Sequence, residues 1–276
     1  MASPVKALQL PWLARVAEVT WLAAGVLIPL AFDVRANQAF ELPKLIVLTI
    51  LAVLALTATS LGLLSLRSWE VRANVATLAL VWLALVATAS IRSGNIVESI
   101  WGSYERQSGL ILAVALVGLG AGPWMYLRTE AQLRRLAWAI VLGSLPPLLY
   151  GLVQRAGLDW IGWIGRPLGV TSTLGSSTAL GGYVALSAAL TLAVVVSLSA
   201  ADDRRPASLM RPLAISILLV QLAVLLLTSV RAALAGYVIG LSVTFLVATG
   251  RATRPGRRNV ALITAALVLI TGGIIV

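Results

Sequence analysis

The chain contains no cysteine and no histidine, and only 11% of its 276 residues are charged. Without cysteine there is no disulfide framework and no thiolate metal site. Without histidine there is no imidazole acid/base chemistry and no His-ligated metal. Acidic residues are scarce, 10 against 21 Lys and Arg, and Asp33, Glu41, Glu98, Glu105 and Asp159 are scattered over separate segments, so no calcium or zinc cluster reads out. A phosphate-cradling loop of the P-loop kind is also missing. No metal and no cofactor is therefore expected. What remains is apolar: 59% of the residues are hydrophobic, and the charge content falls well short of the roughly one quarter typical of a soluble domain.

The charges cluster in short islands between apolar runs about as long as a bilayer core is thick. Backbone groups in hydrocarbon must be satisfied internally, and long runs without strict alternation fit helices rather than barrel strands. The pattern predicts one domain over 1–276, an all-α polytopic membrane protein of about nine transmembrane helices. The expected spans are 16–32, 45–66, 73–91, 110–127, 136–153, 179–201, 213–230, 232–249 and 260–276. The first carries Glu18, which must lie near the interface or pair with a neighbour. The N-terminal segment lacks a short apolar core followed by a small-residue cleavage site, so the first run reads as a retained span.

Residues 213–250 are interrupted by a single charge, Arg231. As one helix they would be roughly 57 Å long at 1.5 Å per residue, nearly twice the hydrocarbon thickness. The chain must turn back, and Thr228, Ser229, Val230 and Arg231 are the most polar place to do so. A kink is expected at Pro146 and Pro147 in the fifth span, since two successive residues there lack an N–H.

Positive charge in a soluble chain would suggest nucleic acid. Here it alternates between segments, and no nucleic-acid partner is expected. Fourteen of the basic residues, among them Arg67, Arg72, Arg128, Arg134, Arg135 and Arg251 to Arg258, fall in every second segment; seven, Arg35, Lys44, Arg92, Arg106, Arg155, Arg166 and Arg231, fall in the others. The positive-inside rule then puts the N-terminus in the cytoplasm and the seven at the outer face. Between 154 and 178 on that face, Trp160 and Trp163 suggest a short interfacial helix with its indoles among headgroups, sugar stacking being the sharper alternative. The glycines of LGSSTALGGY suit close helix packing.

Three outer arginines border distinctive segments: Arg106 in WGSYERQSG, Arg166 in GRPLGVTSTLGSSTALGGY and Arg231 in LLTSVRAALAGY. A guanidinium stays charged and presents a fork of donors suited to phosphate oxygens, so arginines sharing one face are candidates for binding a pyrophosphate-linked lipid. Each taken alone reads first as a topology or snorkelling charge, and it is their shared face that raises the binding reading. Glu98 and Glu105 read as solvated partners of Arg92 and Arg106, and no catalytic base stands out.

At these segments the sequence resembles the O-antigen ligase and Wzy-type polymerase family. FELPKLIVLTILAVLAL at 40–56 is similar to the start of that family's second span, and WGSYERQSGLI at 101–111 to its Gly-x-Tyr-Glu-Arg segment. RPLGVTSTLGSSTALGGYVAL at 166–186 resembles an Arg followed by Gly-Thr and Gly-Asn-Pro-Asn before an apolar helix, and LLTSVRAALAGYVIGL resembles Thr-x-Ser-Arg-Gly at a span start. Two departures stand out. Ser176, Ser177 and Thr178 replace Asn-Pro-Asn, and Val230 replaces the Ser before the arginine.

The resemblance implies an enzyme of the bacterial inner membrane, active in O-antigen or surface polysaccharide biosynthesis. It would transfer a glycan from a polyprenyl-pyrophosphate carrier to a lipid or glycan acceptor, with Arg231, Arg166 and Arg106 neutralising the pyrophosphate. It also implies about twelve spans and a large outer loop with a catalytic histidine. Those would lie beyond Val276, so the chain is expected to be an incomplete member without transfer activity of its own. The rival expectation is a lipid or small-molecule permease, for which the Pro pair is the candidate helix break.

Overall fold

The computed structural model describes residues 11–36, 38–65, 73–103, 107–161, 169–200 and 205–250. Among these residues all regular structure is helical: α1 (Pro11–Leu30), α2 (Glu41–Ser65), α3 (Ala73–Ile91), α4 (Ile96–Trp101), α5 (Leu110–Tyr126), α6 (Glu130–Gly143), α7 (Leu145–Arg155), a 3-10 turn (Ser172–Leu174), α8 (Ser177–Ala200), α9 (Arg205–Leu227) and α10 (Arg231–Gly250). Five stretches are long and apolar enough to cross a membrane, Pro11–Leu30, Glu41–Leu64, Glu130–Arg155, Ser177–Leu198 and Leu209–Leu227, and three shorter apolar helices are Val75–Ile91, Leu110–Tyr126 and Arg231–Leu241. The protein is an all-α polytopic membrane protein. The ninth expected span, 260–276, lies outside the described residues.

The outward side chains fit that reading. Leu64, Leu78, Leu85 and Leu186 are all exposed, a surface that would aggregate in water but is ordinary against lipid. Three buried threonine hydroxyls are satisfied within their own helices: Thr20 donates to Ala17 O at 2.6 Å, Thr59 to Ala55 O at 2.7 Å and Thr191 to Ser187 O at 2.8 Å. Such back-bonding lets Ser and Thr sit in a bilayer without an orphaned donor.

The chain forms two compact units, Met1–Leu136 and Ala137–Val276. In the first, α2 packs between α1 and α5 on small residues. Ala17, Ala52, Ala55 and Ala58 are buried, and Tyr126 Oη donates to Ala58 O at 2.8 Å, tying α5 to α2. Close approach through small residues is the usual route to helix association where lipid supplies no hydrophobic contrast. Glu18 is satisfied by Arg135, whose Nε lies 2.6 Å from Glu18 Oε1. A reciprocal cap starts α6, with Gln132 N donating to Thr129 Oγ1 at 3.2 Å and Thr129 N to Gln132 Oε1 at 3.1 Å. The short α4 lies in a segment expected to be loop and is capped likewise, Asn95 accepting from Glu98 N at 3.3 Å and donating to Glu98 Oε2 at 3.1 Å. Both ends carry the polar-x-x-Glu/Gln spacing of a capping box. Glu98 is thus engaged by Asn95.

The fifth expected span falls in one helical stretch, Glu130–Arg155, interrupted at Ser144, which itself keeps φ −76° and ψ −23°. α6 stops at Gly143 and α7 starts at Leu145, with Pro146 and Pro147 in its first turn. In the second unit the core gathers Leu148, Leu180, Val184, Val224, Leu225, Leu234 and Tyr237 from α7, α8, α9 and α10, with Val170 from the segment before the 3-10 turn. The turn expected between the seventh and eighth spans is present. α9 ends at Leu227, Ser229 takes φ 55°, and α10 begins at Arg231.

Candidate functional site

Two of the segments singled out in the sequence, 169–186 and 226–241, meet at one end of the second unit. α8 and α10 enter from the same end and run parallel, in contact near that end and again about midway along each. A Cβ placed on Gly181 would lie 2.8 Å from Ala233 Cβ, 3.3 Å from Thr228 Oγ1 and 3.4 Å from Val230 Cβ, and one on Gly240 would lie 3.9 Å from Ala189 Cβ. Because position 181 has no side chain, the first turns of the two helices come close together. Each helix N-terminus carries about half a positive charge on its unpaired N–H groups. Two of them, with Arg231 as the first residue of α10, make this end of the unit electropositive.

The turn is held internally. Thr228 N donates to Val224 O at 3.0 Å and Ser229 N to Leu226 O at 3.2 Å, while Thr228 Oγ1 donates to Leu225 O at 2.7 Å. Arg231 is exposed. Its guanidinium has no hydrogen-bond or ion-pair partner among the described residues, so it stays available to an anion.

Beside it the connection into α8 is pinned from below. Gln154 Oε1 accepts from Ser172 N at 2.7 Å and Thr171 N at 3.3 Å, and Ser172 Oγ donates to Pro147 O. Thr171, Ser172 and Thr173 are buried. Ser172 has φ 52° and Gly175 φ 82°, so two left-handed residues in four turn the chain into the helix. Ser176 then caps α8, its Oγ accepting from Ala179 N at 3.0 Å. A left-handed serine is strained and is held only where its surroundings over-determine it, as the Gln154 and Pro147 contacts do here.

Asp159 anchors the same network. It accepts from Tyr150 Oη at 3.0 Å, from Gln154 Nε2 at 3.3 Å and from Ile161 N at 3.0 Å. Sequence reasoning counted Asp159 only among dispersed outer carboxylates. Its role depends on Tyr150 and Gln154, on the last turns of α7, and no spacing signal links them to the segment at 171–172. Trp160 is 78% exposed, with its ring centroid 6.3 Å from that of Tyr150. The backbone from Leu158 to Trp160 is not helical, because Asp159 bends it by accepting from Ile161 N. The expected interfacial helix is therefore absent over these residues, and Trp163 lies outside those described.

Of the three candidate arginines, Arg231 is at this end of the second unit. Arg166 lies outside the described residues, between Ile161 and Gly169. Gly169 itself is beside Ser177 and the Thr228 carbonyl. Arg106 belongs to the first unit and also lies outside the described residues, as does Glu105. In the FELPKL segment Lys44 is engaged locally, donating to Phe40 O at 3.2 Å and lying 5.3 Å from the centre of the Phe40 ring.

No protein-family model matches the chain, and neither a curated protein nor a solved structure matches it.

Proposed function

We propose that the protein binds a polyprenyl-pyrophosphate-linked glycan at the Arg231 end of its second unit and serves its transfer to a lipid or glycan acceptor, in the manner of the O-antigen ligase and polymerase family it resembles. This reading sets the Arg231 end at the outer face of a bacterial inner membrane, as the distribution of basic residues does. One observation carries it: the N-termini of α8 and α10 are brought side by side at Gly181, next to an exposed arginine. Pyrophosphate oxygens would take donors from the guanidinium fork and the positive ends of the helices, an electrostatic role that needs no proton transfer from these groups. The apolar flanks leave the polyprenyl chain in lipid. Arg166 and Arg106 are further proposed contacts, on the family pattern alone.

The test is binding of a polyprenyl diphosphate to the protein in nanodiscs, comparing wild type, Arg231→Lys and Arg231→Ala at matched folded protein. Lysine keeps the charge but loses the fork, so binding should weaken by roughly 1 to 3 kcal/mol, the scale of a charged hydrogen bond. Equal affinity in all three would leave Arg231 as a topology residue.

A second reading, a permease, draws on the α6–α7 break. Helix interruptions away from the membrane surface are where transporters place substrate and ion sites, and this one has the fully buried Ser144 and Gln221 beside it. Uptake or release by proteoliposomes, with Arg231→Ala unaffected, would favour that reading over glycan transfer.

A further inference from the structure

In the first unit α2 and α5 meet on small residues, and their contact leaves a furrow along one side of the seam. Ala52 and Ala115 are buried, at 2% and 3% exposure. α1 closes the opposite side, where Ile28 packs on the cluster of Leu48, Ala52 and Ala115. On the open side the two helices enclose a cavity of about 210 Å³. Ala52 and Ala115 form its floor, and Val53 and Val114, 56% and 44% exposed, form its rims. The furrow therefore opens sideways, and it continues the surface of α2 on which Ile46 and Ile50 are exposed.

The lining offers water nothing to hold. Its one hydroxyl, Thr49 Oγ1, donates to Leu45 O at 2.7 Å, and the other side chains are alanine, valine, leucine and isoleucine. An apolar cavity of about 150 Å³ stays dry and takes up benzene instead. Left empty, the slot forfeits the dispersion contacts of its walls. A partner helix, about 10 Å across with its side chains, would ride on the rims and leave the floor bare. Along α2 the furrow runs from Thr49 to Leu56, about 10 Å at 1.5 Å per residue. On α5 it begins at Leu110, the first residue of that helix. One end thus reaches the membrane boundary and the other stops inside the bilayer, the shape of a single hydrocarbon chain.

We infer that the furrow holds one acyl chain of an outer-leaflet phospholipid, with the carboxyl end of the chain at Leu110 and its methyl end toward Leu56. The distribution of basic residues starts both α2 and α5 at the outer face, which sets the leaflet. The chain enters sideways from the lipid that already covers the rims, and its contacts with floor and walls replace those an empty slot forfeits. No charged residue lines the furrow, so it selects a chain and not a headgroup. The inference rests on neither reading of the Arg231 end, because it concerns the first unit and an ordinary membrane lipid.

The test places the whole 276-residue chain in phospholipid nanodiscs doped with phosphatidylethanolamine that carries a photoreactive diazirine on one acyl chain. One probe has the diazirine near the carboxyl group and a second has it at the methyl end, and the labelled residues are read by peptide mass spectrometry. Labelling should concentrate in the furrow, above that of Leu78 and Leu85 on α3, which are more exposed than its rims. The first probe should mark Leu110 and the second Leu56. Ala115→Leu fills the floor and should remove the preference, whereas the same change at the exposed Ala84 on α3 should leave it. Val114→Phe, which narrows the furrow from its rim, serves if Ala115→Leu does not fold. Labelling no higher in the furrow than on α3 would overturn the inference, as would the reverse order of the two probes. So would a label that polyprenyl phosphate displaces and excess unlabelled phospholipid does not. Diphosphate binding, measured separately on the same preparation, keeps failure here distinct from failure at Arg231.

Discussion

Glu18 on α1 meets Arg135 on α6 at 2.6 Å, across 117 residues of sequence. The pair explains how a carboxylate is tolerated in an apolar helix, since Glu18 is 16% exposed while Arg135, at 54%, keeps one side in polar surroundings. That exposure also limits its worth. A screened pair of this kind contributes at most about 1 kcal/mol. A double-mutant cycle on Glu18→Gln and Arg135→Gln should give a coupling of roughly 0.5 to 1 kcal/mol in the unfolding free energy, shrinking as salt is raised. No coupling at low salt would mean the contact is incidental, and the tolerance of Glu18 would then come from its position near the interface alone.

Orientation follows from the 14 to 7 division of basic residues and is open to direct test, because the native chain has no cysteine to interfere. Single cysteines at Ser68, Thr129 and Ser208 should be shielded from an impermeant thiol reagent added to intact cells, and one at Ser93 should react. Reaction at position 208, or protection at position 93, would invert the topology and put Arg231 on the cytoplasmic side.

Where the fold was legible in the sequence, a strong local signal was present. The span at 73–91 coincides with α3 because apolar composition changes sharply at both ends, and the turn before Arg231 follows from length arithmetic on a bilayer of fixed thickness. The Pro pair announced the α6–α7 break through the missing N–H groups. α4 was not anticipated, although Asn95 and Glu98 carry its capping signal, because six residues in a polar segment give no apolar periodicity. Of the candidate site, Arg231 and the two segments that meet beside it were legible. The rest rests on pairings without local trace, such as Gln154 with Ser172 and Gln221 with Ser144, and on a left-handed serine that residue type does not foretell.

The adjacent glycines 181 and 182 separate helix propensity from helix contact. A Cβ at Gly182 would meet nothing within 4 Å, whereas one at Gly181 would lie 2.8 Å from Ala233 Cβ, with Thr228 and Val230 close behind. Alanine gains up to about 1 kcal/mol over glycine in a helix interior, so Gly182→Ala should be neutral to stabilising. Gly181→Ala should forfeit that gain, because overpacking at a tight contact costs roughly 1 to 3 kcal/mol and is relieved only by moving α10 away from α8. If the paired N-termini hold a diphosphate, Gly181→Ala should also weaken polyprenyl diphosphate binding while Arg231 is intact, and Gly182→Ala should leave binding unchanged. Unfolding and binding measured on the two variants side by side decide the matter. Equal behaviour of the pair would show that the close approach of α8 and α10 matters neither to the fold nor to the ligand.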